Sequence, residues 1–301
     1  TIKLPKNSKL SSRTKFLKRM LDNLQMHDAQ RALTLMIEEM SAEKGFKRSS
    51  GAHYYHHLVD VTQKLLNHRV RNQTVIIVAI LHDAIEDTWM TYEFIEREFG
   101  KEVADAVQIL TKDPNIDYKT NPEALKAYLI RCFENEITAL VKSADRIHNF
   151  GTLGATPLQK QLRVALETEE NFFPLFKWAR EEYPEYSAFF FQAKTEIEPH
   201  LEKIKEFAEM EENYQSRLSE QESLIQSLKD DFAKAKLDQM NQVVDGSDIR
   251  KDYIKTIHIL DKQSKKMKKA LEFYADGKHY DSSEILKDGG QKAFKALNVF
   301  E

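Results

Sequence analysis

The chain is poor in everything that punctuates or cross-links a fold. Its single cysteine, Cys132, excludes an intramolecular disulfide framework and fits a reducing compartment. The neighbours Leu129, Ile130 and Phe133 mark that cysteine as a small core residue rather than a nucleophile. Nine glycines and seven prolines in 301 residues leave few turn signals. No apolar run approaches a membrane span, and the basic N-terminal stretch lacks the apolar region of a secretory signal. A formal net charge of -3 gives no global signal for nucleic acid. Local basic runs, Lys3 to Arg19 and Lys262 to Lys269, read as solvated faces or tails. These absences lead to the expectation of a soluble, cytoplasmic protein with neither a membrane nor a nucleic-acid partner.

What remains is apolar residues at helical spacing. Leu17, Met20, Leu21 and Leu24 mark a first amphipathic helix, and Leu33, Met36, Ile37 and Met40 a second. After a break at Lys44 to Gly51 come Tyr54 to Leu66 and an apolar helix from Gln73 to Ile85. Thr91 is an N-cap for the next helix, which Gly100 ends. Helical patterns continue at Glu102 to Leu110, Pro122 to Phe133, Ile137 to Ile147 and Pro157 to Arg180, with no run of alternating strands. The expected class is all-α.

From Glu198 to Val244 the texture becomes strongly charged. Tyr214, Leu218, Gln221, Ile225, Leu228, Phe232 and Ala235 follow the 4-3 spacing of a heptad seam. Such a seam suits a long helix packed on its own chain, a homo-oligomer or a partner held through residues 198–244. Asp245-Gly246-Ser247 breaks it, and two shorter helices follow with a turn near Asp276-Gly277. The expected parts are residues 1–197, the long helix 198–244 and a helical extension 245–301.

The chemistry concentrates in three segments. Leu81 to Thr88 places one imidazole and three carboxylates at the end of an apolar helix. At i, i+4 spacing His82 shares a face with Glu86, and Asp83 with Asp87. Four titratable groups beside a core need compensation, and a divalent metal in a hydrolytic site supplies it. Arg48 to Val61 and Lys142 to Leu153 also put His, Asp or Asn on helices in apolar company. A site built from His57, His82, Asp83 and Asp145 would give two nitrogens and two anionic oxygens, a mixture that suits Mn²⁺ well and Zn²⁺ or Fe²⁺ less distinctively. His53 and His56 flank His57 and compete with it as ligand. His148 reads as a buried histidine bonded to backbone, Arg146 as an internal ion-pair partner, Thr88 as a helix-end residue, and Trp89 and Trp178 as packing. Lys112 and Lys142 are phosphate-contact candidates.

Over about residues 13 to 180 the sequence resembles the hydrolase domain of the Rel/SpoT alarmone enzymes, a branch of the HD metal-phosphohydrolase superfamily. The motif R-x-S-G-x-x-Y-x-x-H is met by Arg48, Ser50, Gly51, Tyr54 and His57. L-H-D-x-x-E-D-T is met at Leu81 to Thr88, and A-D-R-x-H-N at Ala144 to Asn149. Three motifs in order are more specific than any one. The resemblance implies an HD-domain helical bundle in which His57, His82, Asp83 and Asp145 bind one Mn²⁺, with His56 the fallback for His57. It places Glu86 and Asp87 at the attacking water, and Arg48, Ser50, Lys142, Asn149 and Thr152 at the nucleotide. The implied reaction is hydrolysis of guanosine 3′,5′-bis(diphosphate) alarmones, releasing pyrophosphate and leaving GDP or GTP. A synthetase domain follows in full-length relatives, whereas the charged helical segment here leads to the expectation of hydrolysis without synthesis.

The departures bear on the substrate. Leu58 stands where the family has proline, Ser49 where it has lysine, Ala52-His53 where it has Glu-Pro, and Gly151 where it has an arginine. The metal and water-handling positions are intact. The alternative readings are an HD phosphohydrolase for ppApp or the 2′-phosphate of NADPH, or a catalytically silent regulatory protein.

Overall fold

Helix α4, Gln73–Leu81, is apolar on every side, and Val75 to Leu81 are all buried. A helix without a polar face must lie inside a bundle. The wall around it consists of α2 (His27–Glu39), α3 (Tyr55–Asn67) and α7 (Lys101–Leu110), all of which contact it. The Asn72 side chain starts α4 by accepting the Thr74 N–H at 2.9 Å. In this computed structural model residues 10–47, 52–241 and 247–275 are described. Among them the regular structure is helical, with one isolated bridge between Lys47 and His53. Arg48, Ser49, Ser50 and Gly51 lie outside the described residues, as does the turn expected near Asp276-Gly277.

Helix α1, Ser12–Asn23, packs on α2 and α3 through Leu17 and Leu21. As the sequence indicated, Thr91 caps α6 (Tyr92–Phe99), and Gly100 ends it at φ 91°. That left-handed angle favours glycine and lets α7 begin at the next residue and fold back on α6. Helix α8 is Pro122–Phe133 and α9 is Glu136–Leu153.

Two helices expected to be continuous are not. The one expected over Gln73 to Ile85 stops at Leu81, turns at His82 and Asp83, and resumes as a single turn, α5, at Ala84–Asp87. The one expected over Pro157 to Arg180 divides into α10 (Leu158–Glu167), a π turn at Thr168–Phe172 and α11 (Phe173–Glu182). Pro174 has no N–H to give to the Glu170 carbonyl, so the helical ladder is interrupted where the π turn relaxes it. Phe133 of α8 closes this side of the core, with ring centroids 6.1–6.4 Å from those of Phe172, Phe176 and Phe190.

The chain divides into two compact units, Thr1–Thr152 with Leu166–Pro199, and Leu153–Ala165 with His200–Glu301. The second contains most of α12, Ser187–Asn241, and all of α13, Ser247–Ala275. Within it the seam residues Tyr214, Leu218 and Ile225 are buried. Lys268 of α13 meets Glu222 of α12 at 2.6 Å. No helix among the described residues is long and apolar enough to cross a membrane.

Candidate metal centre

Three helices of the first unit bring the chemistry together. His57 shares the buried face of α3 with Val61 and Leu65 at four-residue spacing. Asp145 and His148 share a buried face of α9 at three-residue spacing. His82 ends α4 in helical conformation, while Asp83, at φ -99° and ψ 4°, makes the bend into α5. The interruption of α4 therefore falls at the residues that face the site.

The side chains of His57, His82 and Asp145 converge closely enough to hold a metal ion. His57 Nε2 lies 3.2 Å from His82 Nε2 and 3.3 Å from Asp145 Oδ1, which is 4.0 Å from His82 Nε2. Asp83 Oδ2 stands 3.4 Å from His82 Nε2 and 3.7 Å from His57 Nε2, and accepts the Tyr54 hydroxyl at 3.0 Å. For metal–ligand bonds of about 2.1 Å, ligands at right angles lie roughly 3 Å apart. The spacing of these atoms fits that arrangement.

The protons around the cluster support the same reading. His82 Nδ1 is 2.8 Å from the Ala79 carbonyl, which can only accept, so a neutral His82 leaves Nε2 bare. Asp60 Oδ2 receives Arg13 at 2.5 Å and lies 3.5 Å from His148 Nε2. A carboxylate draws the proton of neutral His148 to Nε2, so His148 Nδ1 accepts from His57 Nδ1 at 2.8 Å. His57 Nε2 is then bare as well. Two lone pairs and a carboxylate oxygen meet with no proton between them, an arrangement that a divalent cation satisfies.

The ionisation of the surroundings is consistent with this. Burial of His57 lowers its pKa and keeps the ring neutral, against the pull of Asp145. Burial would raise Asp145, but the Lys142 ammonium, 3.5 Å from Oδ2, holds it well below the usual carboxylate range. Burial of Tyr54 and the carboxylates of Asp83 and Asp87 push its pKa up, so it stays a hydroxyl donor. Asp87 reaches solvent, yet the walls around it and the charges of Asp83 and Glu86 raise it to about 6. Glu86 is exposed, and its Oε2 accepts the Lys112 backbone N–H at 3.4 Å.

The structure places the other candidate residues in different ways, some as expected and some not. His57 faces His82, as the register favoured, and His56 Nε2 is buried with no hydrogen-bond partner among the described residues. His53 Nδ1 accepts the Ala42 N–H at 2.9 Å. His148 bonds the ring of His57, not the backbone, through tertiary packing that spacing along one helix does not reveal. Asn149 Nδ2 donates to Asp145 Oδ1 at 2.7 Å, and Thr152 Oγ1 contacts the Asn149 carbonyl at 3.2 Å. The expected base platform Arg48 and its neighbour Ser50 are among the undescribed residues. Arg146 pairs with Glu167, and Thr88 Oγ1 donates to the Ala84 carbonyl at 2.6 Å, as expected of an ion-pair partner and a helix-end residue. Trp89 and Trp178, expected to pack, are 59% and 41% exposed. The sequence reading assigned no role to Tyr54 or Asp60. Tyr54 stood inside the first motif, which was the available signal, and Asp60 carried none.

A family model of the HD domain matches residues 32–177. The chain is 36% identical over 143 residues to the GTP pyrophosphokinase rsh of Brucella melitensis, covering 46% of this chain and 19% of that protein. It is 37% identical over 144 residues to the probable chloroplastic GTP diphosphokinase RSH3 of Arabidopsis thaliana, covering 46% and 20%. The chain thus spans about a fifth of the length of these curated relatives. A solved structure of a metazoan ortholog of SpoT that hydrolyses ppGpp aligns over 66% of this chain and 96% of that one, at 19% identity. Its TM-score of 0.34 is too low to speak for a common fold. The matched segment, residues 32–177, is an HD domain. It is of the Rel/SpoT type, as its likeness to the two curated relatives indicates.

Two outcomes follow from this geometry. His148→Phe removes the acceptor that fixes the His57 tautomer, and divalent-metal affinity measured by calorimetry should fall about 10- to 100-fold while the circular dichroism of the fold persists. In metal-free protein the Asp87 pKa of about 6 lies above its unfolded value. The resulting stabilisation is complete below the unfolded pKa and is lost as pH rises through about 6. Asp87→Asn should therefore gain thermal stability relative to the parent between roughly pH 4 and pH 7.5. An unchanged difference between those pH values would contradict the raised pKa.

Proposed function

We infer that this protein is a Mn²⁺-dependent hydrolase of guanosine 3′,5′-bis(diphosphate) alarmones, releasing pyrophosphate from the 3′ position and leaving GDP or GTP. The observation that carries the reading is the meeting of His57, His82 and Asp145 beside Asp83, with Glu86 and Asp87 on the adjoining turn. The Rel/SpoT type of the HD domain supports the choice of substrate class.

His57, His82, Asp83 and Asp145 would hold the ion, and two imidazoles with two carboxylates suit Mn²⁺. When bound, a divalent cation lowers the pKa of water and offsets charge on phosphoryl oxygens. Tyr54 holds Asp83 in place through its hydroxyl. Asn149 and Lys142 orient Asp145, one on each carboxylate oxygen. Asp87, with a pKa raised to about 6, is suited to taking a proton near neutral pH. The attacking water gives up one proton to Glu86 or Asp87 as its oxygen bonds to the phosphorus attached to the 3′ oxygen, the bond from that phosphorus to the 3′ oxygen breaks, and Glu86 or Asp87 returns a proton to the departing 3′ oxygen. Arg48 and Ser50 belong to the proposed nucleotide contacts, with Thr152 at the exposed end of α9.

The test is turnover of the purified protein with Mn²⁺ on ppGpp, pppGpp, ppApp and NADPH, with products separated by chromatography. GDP or GTP with pyrophosphate is the expected result. Cleavage of ppApp or NADPH alone would replace the substrate assignment, and silence on all four would overturn the hydrolase reading. Asp83→Ala should lose metal and activity together. Glu86→Gln should keep the metal and lose about 10²-fold or more in kcat. Gly151 stands where the pattern of the resembled family has arginine, and a Cβ built there meets nothing within 4 Å. Gly151→Arg should therefore fold, and should lower KM for ppGpp several-fold if that charge serves the nucleotide. An unchanged KM would remove residue 151 from substrate recognition.

A further inference from the structure

The cations near the candidate site are unequally compensated. Arg146 pairs with Glu167 and lies 4.0 Å from the centroid of the Phe172 ring. Lys142 has Asp145. Among the described residues no carboxylate lies within ion-pair distance of Lys112 or Arg131. Lys112 Nζ instead stands 5.8 Å from the ring centroids of both Tyr118 and Tyr128. The Arg131 guanidinium lies 5.8 Å and Lys142 Nζ 5.3 Å from the same Tyr128 centroid. The Tyr128 hydroxyl donates to the Leu110 carbonyl at 2.5 Å, and burial pushes its pKa up, so the ring is neutral. Three positive charges thus surround one phenol, and for Lys112 and Arg131 its face offers a cation–π attraction in place of an ion pair.

Lys112 and Arg131 also line a concave pocket of about 540 Å³, together with Glu86, Thr111 and Asp113. Asp113 is turned into its own loop, where Oδ1 accepts both the backbone N–H and the side-chain amide of Asn115 at 2.9 Å. Glu86 sits on the rim, held by the Lys112 backbone N–H. The pocket therefore presents two cations that have no ion-pair partner among the described residues, beside the carboxylate proposed to handle protons. Burial and the neighbouring Lys142 lower the Lys112 pKa, a cost that a multiply charged anion would offset.

We propose that Lys112 and Arg131 form a diphosphate-binding subsite next to Glu86, which receives the diphosphate leaving group of the substrate. This rests on the hydrolase reading for the identity of the leaving group, and on the pocket alone for the chemistry of the ligand. A 5′-diphosphate carries the same chemistry. The leaving group is favoured because Glu86, which would return the proton to the departing nucleotide oxygen, borders this pocket. A guanidinium and an ammonium are complementary here, the first offering a planar fork to two phosphoryl oxygens and the second a point charge.

The experiment is calorimetric binding of inorganic pyrophosphate to the full chain, with the metal site loaded and with it stripped. Lys112→Met keeps the aliphatic stem over the two tyrosines, and Arg131→Met keeps an unbranched apolar stem beside Tyr128. Each should weaken pyrophosphate binding about tenfold in both metal states. Lys101→Met, which removes an exposed lysine paired with Asp105, should not. In the hydrolase assay the same two variants should raise the inhibition constant of pyrophosphate by the same factor. GDP binding should be unchanged in both, since GDP has only a 5′-diphosphate. Pyrophosphate binding equal to that of the parent in folded Lys112→Met and Arg131→Met would overturn the subsite. Weakened GDP binding would overturn its assignment to the leaving group. Absence of ppGpp turnover with Lys112-dependent pyrophosphate binding intact would refute the hydrolase reading and leave the subsite standing.

Discussion

Bare lone pairs from His57 and His82 and a carboxylate oxygen of Asp145 meet at one point inside an apolar bundle, and the rest of the first unit is arranged around that conflict. Left to themselves these groups repel, and burial strengthens the repulsion by removing water. The protein resolves it from two sides. The ring nitrogens are stripped of protons by acceptors behind them, the Ala79 carbonyl for His82 and the Asp60–His148 pair for His57. The carboxylate is kept ionised by Lys142 and braced by Asn149. Both devices prepare the cluster for a cation.

The same requirement shapes the backbone. A continuous helix from Gln73 to Ile85 would carry the apolar character of α4 straight past the site. Instead α4 ends after seven buried residues, and the turn at His82-Asp83 redirects the chain. That turn frees the Ala79 carbonyl for the His82 ring and puts Glu86 and Asp87 on a separate, accessible turn. The proposed water-handling carboxylates thus stand apart from the ligands, with Asp87 raised toward neutral pH by burial and its acidic neighbours.

Charge is graded across the unit. Lys142 and Arg146 are bound to carboxylates of the unit, whereas Lys112 and Arg131 rest on tyrosine rings and face a pocket. Lysine or arginine held against aromatic faces remains available to an incoming anion, since the ring does not neutralise it.

The sequence by itself determined the helical class, the cap at Thr91, the stop at Gly100 and the four residues that gather at the centre. Those features are local: apolar spacing, a capping hydroxyl, a glycine at positive φ, and motifs in which ligand residues sit at fixed intervals along a helix. Tertiary structure turned His57, which the register of the first motif favoured, inward rather than His53 or His56. It decided the break at His82, the link from Asp60 through His148 to His57, and the setting of Lys112 and Arg131 around Tyr128. Each of these joins residues from different helices or depends on where a helix ends, and spacing along one helix carries no information about the helix opposite.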